Sequence, residues 1–309
     1  MFYPTAHKDK LTAAINNNSK LTAYIVDRLK EAISIYDVWI QKIEEITNDE
    51  DLNQDQKVKR LVNELNIYKN YVEIDLIFDS EDDFLYRQKG QMKLDNSIIE
   101  EFLPRLVHPN IIGEFDRDNI IVGPTKSLSN VHFRSDITGV YTGGGLIGKE
   151  KDQDFAVSKK LFLKASHKED YSNSIEIKTQ LSFIAAECKT NLDKTMFQEA
   201  CATAADLKKL VLGSKYFLVC EWLDMKPIDT SVTDIDSVLV LRKSKRMSSD
   251  LRKNFSTVDG RKKYRDSYIS KINENPIDYD VIMKIVLAFR EMVASQSINE
   301  KEVLFRGYF

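Results

Sequence analysis

The sequence is poor in the residues that build metal cages, disulfide frameworks and sharp turns, with three cysteines, four histidines and six prolines in 309 residues. Cys188, Cys201 and Cys220 lack metal-ligand spacing and cannot all pair with one another, so neither a disulfide scaffold nor a thiolate zinc site is expected. A reduced, cytoplasmic chain fits this usage. His7, His108, His132 and His167 have no ligand spacing and no cysteine partners, which excludes a histidine-held zinc. No apolar run approaches the roughly 18–20 residues that span a bilayer. The opening MFYPTAHKDK shows no basic-then-apolar signal pattern. No serine sits in a nucleophile-elbow context, and no internal repeat or low-complexity tract is present.

What the sequence has in quantity is charge, unevenly spread. The net charge is −3. Residues 1–110 carry 14 Lys and Arg against 20 Asp and Glu, and residues 111–309 carry 31 against 28. Ten basic residues fall between Arg242 and Arg265 against Asp250 and Asp259. A basic stripe on a near-neutral protein is either a solvated face or a phosphate-binding footprint. Arg242, Lys243, Lys245 and Arg246 are its leading candidates for contacts to a nucleic-acid backbone.

Hydrophobic spacing divides the chain near residue 110. Leu21, Ile25, Leu29, Ala32, Tyr36, Trp39, Ile43 and Ile46 form one stripe on a long helix, capped by Asn18 or Ser19. Val58, Leu61, Leu65, Tyr68 and Val72 mark a second helix, so the two are expected as an antiparallel hairpin. The long stripe either packs on its own neighbours or joins two subunits. A short helix fits Ser97–Val107. Beyond Ile111, short apolar runs alternate with Gly, Asn, Ser and Asp. Strands are expected over 119–122, 155–163, 175–177, 181–188, 216–223 and 238–241, with helices over 196–212 and 279–293. This predicts an α+β fold, with a mixed central sheet flanked by helices. The expected organisation is a helical N-terminal region, 1–110, followed by a second domain, 111–309.

The informative stretch is LSFIAAECKTNLDKTMFQEACATAAD, from Leu181 to Asp206. Its short, small, apolar run ends in Glu187-Cys188-Lys189. Strand periodicity turns Glu187 and Lys189 to the same side. A carboxylate and an ammonium at the end of a buried strand are costly without partners or a task. Phosphodiester hydrolysis supplies one: the acid holds a divalent cation, and the ammonium binds the attacking water or a non-bridging oxygen. Mg²⁺ prefers several oxygen ligands, so a second acid is expected from a neighbouring strand. Asp154, heading DFAVSKKLFLKAS, is the first choice and Asp152 the second. Glu176-x-Lys178 is the rival triplet. If its strand runs unbroken to Lys189, Glu176 faces away from Glu187. Thr195 and Gln198 fit a capping box that opens the next helix, whose N-terminus would bring positive potential to the site.

An Asp, a gap, and Glu-x-Lys at a strand end before a helix resembles the PD-(D/E)xK nuclease superfamily. The longer string ECKTNLDKTMFQEA, with DFAVSKKLFLKAS upstream, resembles type II restriction endonucleases of the BbvCI kind, which act on asymmetric sites with two different subunits. The resemblance is clear over roughly 111–223. It implies a restriction-endonuclease-like fold and Mg²⁺-dependent cleavage of double-stranded DNA. It also implies that Asp154, Glu187 and the Cys188 carbonyl bind the metal, and that Lys189 positions or activates the water. Gln153 stands where the nominal motif has proline. Glu199 and Lys194 are candidate supporting residues. A second subunit, identical or different, is implied as partner. The alternative is a nuclease-fold partner subunit that binds DNA without cutting alone. GGGLIGKE, from Gly143 to Glu150, nearly matches a phosphate-binding loop. It ends in an acid and leads into a strand rather than a helix, so nucleotide binding is not expected.

Overall fold

A computed structural model describes residues 3–16, 21–115, 118, 120–134, 142–294, 304–305 and 307. Among the described residues six α-helices come first: α1 (Ala6–Asn16), α2 (Ala23–Asn48), α3 (Gln54–Asn70), α4 (Asp83–Gln88), α5 (Ser97–Leu106) and α6 (Pro109–Ile112). Strands β1 (Ile120–Phe133), β2 (Leu146–Ala165) and β3 (Ile175–Leu192) follow, then α7 (Lys194–Leu210), β4 (Lys215–Leu223) and β5 (Ser237–Val240). Helices α8 (Ser249–Lys253), α9 (Val258–Lys263), α10 (Arg265–Glu274) and α11 (Tyr279–Ala294) complete the fold.

The five strands form one sheet in sequence order, β1-β2-β3-β4-β5. The first three are antiparallel, while β4 and β5 run parallel to β3. This is the α+β fold that the sequence predicts. The crossover from β3 to β4 is α7, as a parallel pair requires. The β1–β2–β3 part curls, so that β1 and β3 side chains meet across β2. Thr125 hydrogen-bonds Gln180, and Ser127 hydrogen-bonds Ser182.

Helices α2 and α3 form the expected hairpin. Asn18 and Ser19 lie outside the described residues, and Thr22 caps α2 by accepting from the Ile25 amide. Asn53 and Gln56 build a full capping box on α3. The α2 stripe is consumed inside the chain: Leu29, Ala32, Tyr36, Trp39 and Ile43 are at most 3% exposed. It therefore offers no free surface to a second subunit. One apolar cluster joins Leu11, Leu29 and Phe102 from the helices to Phe155, Ile184 and Phe217 of the sheet and Phe289 of α11. The N-terminal helices thus share a core with the sheet they support.

After α3 the helix continues as a π-helical stretch, Tyr71–Phe78. It carries Glu73 into a buried ion cluster. Lys69 sits 2.9 Å from Glu73 and 2.6 Å from Glu221, and Arg242 reaches both acids at 3.1 and 3.3 Å. Four fully buried charges tie the helices to β4 and to the turn after β5. Each is tolerated because the others neutralise it.

Candidate active site

Strand β3 runs unbroken from Ile175 to Leu192. A bulge at Phe183, where Val157 pairs with Ile184 and the next residue, Ser158, with Ser182, adds one residue between Glu176 and Glu187. The expected odd–even separation therefore does not hold, and the two acids are set apart by distance along the strand. Glu176 lies at the far end, solvent-exposed, and pairs with Lys164 at 3.6 Å. Glu187 and Lys189 instead reach a cavity of about 420 Å³, and Asp152, Asp154 and Glu199 line it with them. Antiparallel pairing sets Phe155 opposite Ala186, which brings Asp154 level with the Glu187–Cys188 peptide.

The hydrogen bonds around these side chains are specific. The Cys188 amide donates to Asp154 Oδ2 at 3.0 Å. Lys189 Nζ lies 2.7 Å from Glu187 Oε1. Tyr216, on β4, donates its hydroxyl to Glu187 Oε2 at 3.1 Å. Burial and the Glu187 charge push the Tyr216 phenol well above its ordinary pKa, so it remains a proton donor. Burial works against the Lys189 charge, but its hydrogen bond to Glu187 and the charges of Glu187, Asp154 and Glu199 outweigh that and raise its pKa. Lys189 is thus held as an ammonium. The Cys188 thiol, buried and near Asp154, Glu100 and Glu187, is raised well above its usual pKa and is no thiolate ligand. Only its carbonyl is chemically suited to a hard cation.

Three residues of the N-terminal third complete this environment. Lys93 lies 3.8 Å from Asp154 Oδ1 and 3.3 Å from Glu100 Oε1. Asn96 donates to Glu100 Oε1 at 2.9 Å and to the Cys188 carbonyl at 3.2 Å. Its own Oδ1 is buried without a hydrogen-bond partner. Burial and the Asp154 charge raise the Glu100 pKa, while Lys93 pulls it down. The adjacent Glu101 does a different job: it accepts from the His7 amide and from the Tyr36 hydroxyl, and pairs with Arg105. The sequence signal was present in SIIEEFLPRL, where two tandem acids sit in a helix with every residue buried.

Other expectations are corrected. Asp193 caps α7, accepting from the Met196 amide at 2.9 Å, in place of Thr195. The cavity borders the flank of α7 at Glu199, Ala202 and Thr203 rather than its N-terminus. Lys194 is exposed and is not among the residues lining the cavity. Arg242 is 1% exposed within the ion cluster, so it has no surface to offer a phosphate. The apolar run before it docks β5 on the core and carries it inward. Lys243 pairs with Asp278 at 2.7 Å, and Arg246 pairs with Asp224 at 3.2 Å. Lys245 is exposed. Gly143 and Gly144 have positive φ, and a Cβ at Gly143 would strike Ile175, so this stretch is a tight turn packed on β3. No described helix is long and apolar enough to cross a membrane.

A curled antiparallel sheet continued by parallel strands, with acids of two neighbouring strands beside a lysine, defines a restriction-endonuclease-like fold. In structure the chain is similar to native BbvCI, described as an A2B2 tetramer at low resolution. The TM-score is 0.62 at 20% sequence identity, covering 96% of this chain and 100% of that one. The Bpu10I restriction endonuclease profile matches residues 91–309. The chain belongs to the Bpu10I restriction endonuclease family, and is a type II site-specific endodeoxyribonuclease. No curated protein matches it.

Proposed function

We propose that this chain cuts DNA with Mg²⁺ at the cavity between β2, β3 and α7, and that Asp154, Glu187 and Lys189 are its catalytic residues. The observation that carries the reading is the convergence of Asp154, Glu187 and Lys189 on one cavity. Among the described residues no three His, Cys, Asp or Glu side chains cluster as a ready metal cage. Two carboxylates, the Cys188 carbonyl and the unpartnered Asn96 Oδ1 nonetheless make a set of hard oxygens, which suits Mg²⁺ better than a softer ion. When bound, Mg²⁺ supplies a Lewis acid for the phosphoryl group and lowers the pKa of water.

The chain's own residues do the rest. The Cys188 amide and Lys93 fix Asp154. Tyr216 holds one oxygen of Glu187 and leaves the other to Lys189. The Lys189 ammonium is placed to hold the attacking water or to neutralise charge that develops on the phosphate. Residues 111–309 act as the nuclease domain, with 1–110 as a helical region that supplies Lys93, Asn96 and Glu100.

One site cuts one strand, so double-strand cleavage requires a second subunit, a copy or a different chain. BbvCI is described as A2B2, which favours an assembly of this kind. The test is a plasmid digest, with light scattering to establish the assembly. Discrete fragments or nicked circles that appear with Mg²⁺ or Mn²⁺ and vanish with EDTA are expected. Full cleavage in a thoroughly chelated buffer would sink the metal reading.

A further inference from the structure

A second cavity, of about 380 Å³, lies beside the first. Two segments connect them. On β3, Lys189 lines the first cavity, and Thr190 and Asn191 line the second. Before α5, Lys93 reaches Asp154, while Lys89 and Asp95 line the second cavity. At about 3.3 Å of strand rise per residue, Asn191 stands about 6.6 Å along β3 from Lys189. That is within one nucleotide's reach of the proposed reaction centre.

The wall of this cavity combines cations with aromatic rings. Arg87, Lys89, Arg246, Arg252 and Lys271 line it. Asp83 pairs with Arg87, Asp95 with Lys89, and Asp224 is shared by Arg246 and Arg252. Five cations therefore face three carboxylates. Lys271 has no carboxylate within salt-bridge distance among the described residues. It donates to Ser244 Oγ at 2.7 Å and lies 5.3 Å from the Trp222 ring centre. Trp222, Tyr268 and Phe255 form the apolar floor, each less than a tenth exposed. The rings are packed on their own neighbours, Tyr268 on Phe78 and Trp222 under Arg242, so it is the surplus of cations above this rigid floor that matches a nucleotide, through its anionic phosphate.

We propose that this cavity seats a nucleotide of the DNA strand next to the phosphate being cut, with Lys271 and Arg246 on its phosphodiester. This rests on the nuclease reading above and adds the neighbouring contact. It also gives Arg246 a place in DNA binding that the buried Arg242 does not have.

The test is binding of a short fluorescein-labelled duplex in EDTA, by anisotropy over a range of salt, so that cleavage does not enter. Lys271→Gln and Arg246→Gln keep hydrogen-bonding groups and remove one charge each. Each is expected to lower the slope of log affinity against log salt by about 0.9, and the pair by about twice that. Melting temperatures should match wild type. Lys284→Gln, at a residue lining a different groove, should leave the slope unchanged. Wild-type slopes in the folded Lys271 and Arg246 variants would overturn the proposal and leave the nuclease reading standing. A wild-type chain that binds no duplex, in EDTA or in Ca²⁺, would overturn the proposal, while the nuclease reading is judged separately by the plasmid digest. Quenching of tryptophan fluorescence by dTMP, with duplex slopes unaltered in the variants, would assign the cavity to free nucleotides and also overturn the proposal.

Discussion

Asn96 donates its side-chain amide to the backbone carbonyl of Cys188 across 92 residues of sequence. The contact fixes the carbonyl that lies between Glu187 and Lys189, and the same amide holds Glu100. Residues that orient metal ligands commonly contribute about 10- to 100-fold in metal affinity or activity. Asn96→Ala and Glu100→Gln should each lower the cleavage rate by about that factor, with a higher Mg²⁺ requirement and nearly unchanged duplex affinity. Rates at several Mg²⁺ concentrations decide it. A folded Asn96→Ala variant that cuts at the wild-type rate would remove this role.

Glu187→Ala and Lys189→Ala should abolish cleavage and leave DNA binding largely intact, because the proposed mechanism places both where charge develops. Glu176→Ala should leave cleavage unchanged, since Glu176 is exposed and paired with Lys164. The reverse pattern in a plasmid assay would transfer the site to the other triplet.

Arg242 is expected to matter for stability rather than for DNA. Arg242→Met leaves Glu73 and Glu221 buried with Lys69 as their remaining close cation. Breaking such a cluster costs about 3–5 kcal/mol. Chemical denaturation should detect that loss. Lys243→Gln, at an exposed pair, should leave the denaturation midpoint where it is.

His7 gives a pH prediction remote from the site. Its ring bonds to Ser97 and Tyr68. Burial and the Lys69 charge lower its pKa from 6.5 to about 3. The folded value lies below the unfolded one, so the stability from the neutral ring is complete above pH 6.5. It is lost as pH falls from 6.5 toward 3. At pH 5 the loss is about 2 kcal/mol. Melts at pH 7 and pH 5 should differ more for wild type than for His7→Gln. Equal differences would show that His7 is not the titrating group.

The sequence made some of this legible. Strand parity set Glu187 beside Lys189, because period two is a property of the backbone, but it did not separate Glu176, because the bulge at Phe183 shifts the alternation. Helical spacing revealed the α2–α3 hairpin because its period, too, is a property of the backbone. Lys93, Asn96 and Glu100 were not foreseen. Their roles depend on where α5 docks, and docking is a matter of packing between distant segments. The basic stripe misled because composition counts Arg242 and cannot tell that Glu73 and Glu221 await it in the core. Strand β1 runs to Phe133, well past the expected 122, because its pairing with β2 extends beyond its apolar residues.

The pairing of residues far apart in sequence has a consequence during synthesis. Asn96 waits for Cys188, and the acids of the ion cluster wait for Arg242. A ribosome that has delivered the first half of the chain has therefore delivered no working blade. Fragments ending before residue 187 should leave any DNA they meet intact, because they lack the proposed Glu187 and Lys189.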